Sequence, residues 1–162
     1  MPTARSTEDH TRASRQDAAT SRALKLWVVL ARAYSAIARE VEADIGRHEL
    51  TTTEFGILEA LHHKGPLLLG EIQRKVLVTS GGITYLVDRL VAKGLVKREP
   101  SPDDRRARFA VLTPAGARLI GRIFPPHAHF LTEIMSTLTP EEQTVATTLL
   151  RKLGLSAASA GK

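Results

Sequence analysis

Residues 69–113 contain two hydrophobic periods in succession, first helical and then strand-like. The longer helical segment has apolar residues at i, i+3, i+4, i+7 and i+8, which predicts one buried stripe on an amphipathic helix. These residues are Ile83, Leu86, Val87, Leu90 and Val91. Lys93 and Gly94 predict the end of the helix, because a cation suits the carbonyl end and glycine readily takes a positive φ. A shorter helical pattern over residues 70–76 precedes it across a turn.

The period changes to two after Gly94. Residues 95–99 and 108–112 alternate like strands, and the proline- and aspartate-containing segment between them is typical of a turn. Two helices separated by a turn and followed by a hairpin form a winged helix-turn-helix, whose second helix enters a major groove. The predicted fold is therefore mainly α with a small β-hairpin wing.

Long helical patterns flank this motif on both sides. Residues 20–46 are apolar around more than one side of a helix, with Trp27 and Val28 lying beside the main stripe. Such a helix must be covered on more than one side, which favours a partner subunit. Burial wholly within one protomer is the alternative.

Capping residues predict where two of the other helices begin. Thr51 and Glu54 have the spacing of a capping box, and so do Thr139 and Glu142. In each pair the hydroxyl accepts a hydrogen bond from the backbone of the acidic residue, and the carboxylate accepts one in return. A further helix is expected to start at Pro114, directly after the hairpin.

Proline and glycine predict where helices end or bend. Pro125 and Pro126 are expected to break or kink a helix, because each lacks a donor and clashes with the preceding turn. Gly154 is expected to end the last helix. The predicted organisation is a disordered or frayed arm (1–19), an N-terminal dimerisation helix (20–49), a winged helix-turn-helix DNA-binding lobe (50–113), C-terminal dimerisation helices (114–154) and a flexible tail (155–162).

The basic charge is concentrated in the lobe that is expected to meet DNA. The net charge is +6, of which residues 70–113 carry +4, as is typical of a phosphate-facing surface. The 162 residues include no cysteine, which excludes disulfides, thiolate metal sites and thiol redox switches. No apolar run is long enough for a membrane span and the first residues are polar, so a cytoplasmic protein without membrane contact is expected.

Four short motifs resemble those of the MarR family of bacterial transcriptional regulators. They are a VDRL segment (87–90), a GLV segment (94–96), an acidic DRR segment (103–106) and an LTxxG segment (112–116). The resemblance extends over residues 20–154. It implies a homodimer that binds double-stranded DNA through the second helix and the wing and dimerises through its terminal helices. It also implies a response to small, often phenolic or aromatic, compounds.

The second helix carries the first group of expected DNA contacts. Thr79 or Ser80 is expected to cap it, and either hydroxyl could meet a phosphate. Gly81 would let the backbone approach the DNA closely, or would instead relieve packing against the preceding helix. Thr84 and Tyr85 are best placed for base edges or thymine methyl groups.

The hairpin and the end of the helix supply the remaining contacts. Arg89 is expected to contact phosphate or to pair with Asp88 or a wing aspartate. The resemblance implies that Asp104 orients Arg106 into the minor groove, with Arg105 on the DNA backbone. A solvated hairpin tip is the alternative. Probable phosphate contacts or surface charges are expected at Lys97, Arg98 and Arg108.

Effector and metal sites are less specific in the sequence. The residues that could line an effector pocket are Trp27, Tyr34, Phe55 and His62, although each belongs to a type more often found in a plain core. His127, His129 and Glu133 suggest a zinc-responsive variant. There is no glycine-rich phosphate loop, no HExxH and no nucleophile elbow, so neither an enzyme nor a cofactor is expected.

These observations predict a sequence-specific, DNA-binding transcriptional regulator. By family habit it would be a repressor, acting as a homodimer on a pseudo-palindromic operator and released by a small aromatic or phenolic ligand. The alternative is an effector-independent architectural protein. Such a protein would discriminate weakly between sequences, whereas a regulator favours its operator by about 10³-fold or more.

Overall fold

Six helices and a three-stranded antiparallel sheet form the described part of the chain. The computed structural model describes residues 4–76, 82–101 and 107–160, with the side chains of these residues except 4–14, 75 and 160. The elements are α1 (Ala4–Gly46), α2 (Thr52–Lys64), β1 (Leu67–Leu68), α3 (Leu69–Lys75), α4 (Ile83–Ala92), β2 (Val96–Pro100), β3 (Arg108–Leu112), α5 (Pro114–Met135) and α6 (Pro140–Ala160). The fold is mainly α with a small β-hairpin wing, which confirms the fold predicted from the sequence.

The first helix begins well before the residue expected from the sequence. α1 is helical from Ala4, whereas a disordered or frayed arm was expected over residues 1–19. No glycine or proline occurs between residues 3 and 45, and the alanine, arginine and glutamine near the start have high helix propensity. Propensity therefore extends the helix where there are few apolar side chains to pack.

The chain divides into two units, Met1–Val41 and Glu42–Lys162. The first consists of most of α1, and its large exposed apolar side chains are Leu24, Leu26, Trp27, Val28, Val29 and Tyr34. The second contains the remaining elements. Among the described residues, no helix is both long and apolar enough to cross a membrane.

Both capping boxes predicted from the sequence are present. Thr51 Oγ1 accepts a hydrogen bond from Glu54 N at 3.2 Å, and Glu54 Oε2 accepts one from Thr51 N at 2.9 Å. At the start of α6, Glu142 Oε2 accepts from Thr139 N at 2.8 Å, and Thr139 Oγ1 accepts from Glu142 N at 3.3 Å. Each pair satisfies two of the backbone donors that a helix start leaves unpaired.

The core of the second unit is built around α2, which packs against α4, α5 and β3. Three residues of the stripe predicted on α4 are buried, namely Ile83, Val87 and Leu90. Fully burying one such side chain contributes about 1.5–3 kcal/mol, so the stripe fixes which side of α4 faces outwards. The buried apolar residues are Ile45, Leu50, Phe55, Ile57, Leu58, Leu61, Leu67, Ile72, Ile83, Val87, Leu90, Val96, Ala110, Ile120 and Ile123.

The sheet contains the predicted hairpin and one strand that the sequence analysis missed. β2 and β3 pair with Val96 opposite Leu112. β3 also pairs with β1, where Leu67 lies opposite Ala110, so the strand order is β1-β3-β2. A strand of two residues is too short to show a period. Pairing on both sides makes β3 the central strand, and Ala110 is fully buried there.

α5 is continuous through its paired prolines. The sequence predicted a break or kink at Pro125 and Pro126, but one helix runs from Pro114 to Met135, so the break does not occur. Each proline removes the donor that would bond to the carbonyl four residues earlier. Those carbonyls belong to Gly121 and Arg122, which are exposed, as the prolines are. Water can reach such a carbonyl on an exposed face.

α6 continues beyond the glycine that was expected to end it. The helix runs to Ala160, so residues 155–160 of the predicted flexible tail are helical. The described glycines with a positive φ are Gly65 and Gly94, and Gly154 is not among them. A glycine within a helix costs about 1 kcal/mol relative to alanine, which does not stop a helix that continues into serine and alanine.

The start of α5 is fixed against the turn that follows α4. The hydroxyl of Thr113 accepts a hydrogen bond from Gly116 N at 3.0 Å and donates one to Gly94 O at 2.7 Å. Thr113 N donates to Leu95 O at 3.0 Å. Gly116 lies so close that a Cβ there would overlap the carbonyl oxygen of Leu95. This end of α5 therefore cannot shift without moving the turn after α4.

Replacing Gly116 tests this joint. Gly116→Ala should destabilise the fold by about 1–3 kcal/mol, because the added methyl group forces the two backbones apart. Gly121→Ala is the matched control in the same helix, since a Cβ there meets nothing within 4 Å, and it should be neutral or slightly stabilising. Urea unfolding at one protein concentration measures both. Equal midpoints for the two variants would contradict the close approach.

Candidate nucleic-acid interface

The outward face of α4 carries the side chains expected to read bases. Thr84 and Tyr85 are exposed, Tyr85 to 63%. The opposite side of the helix is buried in the core, so packing determines which residues face outwards. A hydroxyl group and an aromatic ring are thereby presented on one side of a helix, as a major-groove reader requires.

The beginning of α4 differs from the predicted arrangement. The helix starts at Ile83, and Gly82, which has no side chain, occupies the N-cap position. The sequence predicted a hydroxyl cap from Thr79 or Ser80, with Gly81 in the first turn. Those three residues lie outside the described part of the chain, and their contacts with DNA stay predictions.

Two cations at the other end of α4 converge on one buried carboxylate. Glu54 is fully buried, with Oε1 3.2 Å from Arg89 Nε and Oε2 3.0 Å from Lys93 Nζ. Lys93 Nζ also donates to Glu49 O at 2.7 Å. Arg89 was expected to contact phosphate or to pair with Asp88 or a wing aspartate; its side-chain partner is Glu54 instead, and the phosphate contact stays a prediction. The capping box had identified Glu54, but local spacing gives no sign of a partner on another helix.

Glu54 is ionised in spite of its burial. Burial raises the pKa of this carboxyl group, but the hydrogen bond from Thr51 N and the positive charges of Lys93 and Arg89 outweigh that effect and hold the pKa below its usual value. A buried carboxylate without cations would cost several kcal/mol. The burial of Glu54 therefore ties the end of α4 to the start of α2.

β2 is tied to the outward face of α4 through Arg98. Arg98 Nη2 lies 2.8 Å from Asp88 Oδ1 and donates to Thr84 O at 3.3 Å. A phosphate contact or surface charge was expected at Arg98; its side chain bridges wing and helix, and contact with phosphate stays a prediction. Lys97, which had the same assignment, is exposed and pairs with Glu99 on its own strand at 2.7 Å.

A groove of about 460 Å³ opens between α3, α4 and the hairpin strands. Arg74, Arg98 and Arg108 line it, with Glu71 as an acidic neighbour. Arg98 and Arg108 are among the DNA contacts expected from the sequence, whereas Arg74, on the short helix α3, is not. The structure thus places three guanidinium groups beside the outward face of α4, a surface suited to phosphate.

The tip of the wing lies outside the described residues. It contains Asp104, Arg105 and Arg106, for which the resemblance implies contact with the minor groove and the DNA backbone. That contact stays a prediction. Arg108, which begins β3 opposite Pro100 and next to the tip, is exposed.

The four residues suggested as effector-pocket lining have different surroundings. Trp27 and Tyr34, in the first unit, are 65% and 73% exposed. Phe55 is 4% exposed and packs edge-on against His127, with ring centroids 4.7 Å apart. It is therefore a core residue, which is the alternative that the sequence left open. His62 is exposed near the end of α2.

The histidines that suggested zinc do not form one site. His127 is buried, with Nδ1 2.7 Å from Asp44 Oδ2. His129 faces solvent, and its Nδ1 lies 3.7 Å from Glu133 Oε1. Among the described side chains, no group of three or more histidine, cysteine, aspartate or glutamate residues could hold a metal ion.

The sequence is similar to known transcriptional regulators. A sequence model of the MarR family matches residues 48–107. The HTH-type transcriptional regulator MhqR of Bacillus subtilis (strain 168) is 45% identical over 138 residues, which cover 85% of this chain and 95% of that protein. The similarity therefore extends well beyond the residues that the family model matches.

Solved structures show the same fold. Sco3205, a MarR family transcriptional regulator from Streptomyces coelicolor in complex with DNA, has a TM-score of 0.75 at 25% identity and covers 80% of this chain and 83% of its own. BpsR of Bordetella bronchiseptica, whose DNA binding is regulated by 6-hydroxynicotinic acid, has a TM-score of 0.71 at 28% identity and covers 78% of this chain and 90% of its own.

The change in the free energy of unfolding between neutral and acidic pH should reveal how much Glu54 contributes to stability. Since its pKa is lower in the folded than in the unfolded chain, its contribution is fully present above the usual value of 4.5 and is lost as the pH falls through the lower folded value. Glu54→Gln retains an oxygen for the capping box but removes the charge. The variant should be less stable near neutral pH, and its stability should change less in acid.

Urea unfolding across the acidic range provides the measurement. Asp44, whose pKa is also lowered because hydrogen bonds from His127 and Arg47 outweigh the effect of its burial, keeps part of the acid dependence in every variant. Glu142→Gln, in the exposed capping box of α6, is the control and should retain the unaltered profile. If Glu54→Gln showed the same acid profile as the unaltered chain, Glu54 would not be an ionised partner of Arg89 and Lys93.

Proposed function

The chain belongs to the MarR family of transcriptional regulators, and we propose that it is a homodimeric repressor, released from a pseudo-palindromic operator by a small aromatic or phenolic compound. As a member of this family it is a DNA-binding regulator of transcription and not an enzyme. The observation that carries the DNA-binding part of the proposal is the outward face of α4, where Thr84 and Tyr85 lie beside the groove lined by Arg74, Arg98 and Arg108.

The chemistry of this surface suits both parts of DNA recognition. Thr84 and Tyr85 offer hydroxyl groups and a ring to base edges and thymine methyl groups, which supply sequence discrimination. Arg74 and Arg108 line the adjacent groove, where phosphate contacts would supply affinity and register. The recognition helix and its phosphate contacts would therefore act from adjoining parts of one surface.

The wing would extend this interface into the minor groove. We assign Arg106 to the groove, oriented by Asp104, with Arg105 on the backbone, as the resemblance implies. A narrow minor groove rich in A·T pairs has an enhanced negative potential that attracts arginine. Lys97 and Arg108, on the two strands of the same hairpin, would then contact phosphates.

Exposed apolar side chains on the terminal helices support a homodimer. On α6 these side chains are Val145, Leu149, Leu150, Leu153 and Leu155, each at least 44% exposed. α1 exposes a comparable set that includes Trp27 and Leu24. Apolar patches of this kind mark protein interfaces. A two-fold symmetric dimer would place two copies of α4 about one DNA turn apart, which matches a pseudo-palindromic site.

The proposed effector would act by shifting the spacing of the two recognition helices. The regulation of BpsR by 6-hydroxynicotinic acid supports an aromatic ligand by analogy. Trp27 and Tyr34 are exposed aromatic residues and are our candidates for contact with it. A ligand releases DNA only if it binds the DNA-incompetent arrangement more tightly than the competent one.

Footprinting of the purified chain on the DNA upstream of its own gene tests the proposal. We expect one compact, two-fold symmetric footprint, with an affinity about 10³-fold or more above that for an unrelated duplex of equal length. One member of a panel of small phenols and quinones should release it. Sedimentation of the complex should give two chains for each site.

The outcomes separate the parts of the proposal. Diffuse coating without a preferred site would contradict sequence-specific regulation and favour the architectural alternative. A symmetric footprint that every compound leaves unchanged would refute the effector alone. Release by zinc, with none by the organic compounds, would favour the zinc-responsive alternative.

Charges on the apolar stripe of α6 should separate the dimer. Leu149→Glu combined with Leu153→Glu would place two carboxylates where the partner's apolar side chains pack, and burying them unpaired is unfavourable. Sedimentation should show a monomer, and affinity for the palindrome should fall by about 10²-fold or more as the second half-site is lost. Thr147→Glu, on the opposite side of α6, is the control. A doubly substituted chain that remained dimeric would place the interface elsewhere.

A further inference from the structure

We propose that Glu54 acts through Arg89 to hold the ring of Tyr85 in position on the DNA-facing surface of α4. These three residues are called the relay below. Glu54 and Arg89 are positioning residues in this arrangement, and Tyr85 is the group that meets DNA. The proposal rests on the proposed function, because the orientation of Tyr85 affects DNA affinity only if this face of α4 binds DNA.

The inner end of the relay is fixed by burial and by several partners. Glu54 is fully buried, and its Oε2 accepts hydrogen bonds from Thr51 N at 2.9 Å and from Lys93 Nζ at 3.0 Å. Within the described part of the chain, its Oε1 accepts no hydrogen bond. The charge of Arg89, whose Nε lies 3.2 Å away, compensates this oxygen. A buried carboxylate oxygen needs such compensation, so Arg89 is held in place.

The outer end of the relay is a cation–π contact. The guanidinium carbon of Arg89 lies 5.9 Å from the centroid of the Tyr85 ring, within the range of about 6 Å in which such contacts are attractive. Residues four apart lie above one another on a helix, so the contact is compatible with regular α4 geometry. Tyr85 is 63% exposed. A ring already held in one orientation loses less conformational freedom when it meets DNA.

A direct phosphate contact by Arg89 is the rival arrangement. Arg89 meets Glu54 through Nε and its side chain is 40% exposed, so its terminal nitrogens could reach a phosphate while that contact remains. The two arrangements differ in salt dependence. Affinity falls with salt, and loss of one phosphate contact makes the slope of log affinity against log salt shallower by about 0.9. Loss of a positioning residue leaves the number of phosphate contacts, and therefore the slope, unchanged.

Fluorine NMR tests the relay on the full chain without DNA. The chain has two tyrosines, Tyr34 and Tyr85, so 3-fluorotyrosine labelling gives two resonances that Tyr34→Phe assigns. Glu54→Gln and Arg89→Met should each shift the Tyr85 resonance and leave that of Tyr34 in place. Glu142→Gln, which alters a capping box outside the relay, should move neither. An unmoved Tyr85 resonance in the folded variants would overturn the proposal.

Operator binding then tests whether the held ring matters. Glu54→Gln and Arg89→Met should each weaken binding by about two- to five-fold, with an unchanged salt slope. Arg89→Met should have no effect when Tyr85→Ala is already present, because the relay would have nothing to hold. A loss of the same size in the Tyr85→Ala background, or a lower salt slope for Arg89→Met, would overturn the relay.

A variant that fails to fold, or a chain that lacks the proposed function, can be distinguished from a failure of the relay itself. Far-ultraviolet circular dichroism checks each variant. If Glu54→Gln does not fold, Arg89→Met provides the test of the relay, since Glu54 retains its ion pair with Lys93 in that variant. If the unaltered chain prefers no DNA sequence, the proposed function fails, while the fluorine resonances still establish whether Arg89 holds Tyr85. If the unaltered chain binds its operator and the variants bind equally well, the relay alone is refuted.

Discussion

The buried charge of Glu54 constrains the DNA-binding lobe more than any single apolar contact. An apolar side chain can be covered by many neighbours, whereas a buried carboxylate requires donors and cations at defined positions. Glu54 obtains them from two elements, the backbone of Thr51 at the start of α2 and the side chains of Arg89 and Lys93 at the end of α4. These elements must therefore come together whenever Glu54 is buried, and the direction of α4 follows.

The constraint continues from the end of α4 into the neighbouring elements. Gly94 turns the chain with a φ of 70°, and Thr113 bonds to its carbonyl. α5 starts at this point, with Gly116 against the backbone of Leu95. Arg98 ties β2 to the outward face of the same helix. Interfaces packed so closely do not deform continuously. A displacement at the start of α5 would therefore be transmitted to α4, and the lobe would move with it.

Sequence reasoning succeeded where the signal was local. The capping box at Thr51 and the stripe on α4 depend on residues within two turns of each other, and the hairpin depends on a period and a turn. It failed for partners on other elements, since Lys93 lies 39 residues from Glu54 and no spacing rule joins them. The start of α1 and the end of α6 were also missed, because propensity alone extends these helices where apolar spacing gives no sign of them.

The same limitation affects how a basic surface is interpreted. Residues 70–113 carry +4, and counting charges would assign most of their cations to phosphate. The structure divides them by role. Arg89 and Arg98 are engaged with Glu54 and Asp88, so they shape the surface on which Thr84 and Tyr85 are displayed. Net charge governs the attraction of the lobe to DNA, but the pairing of each cation determines which of them is available to hold a phosphate.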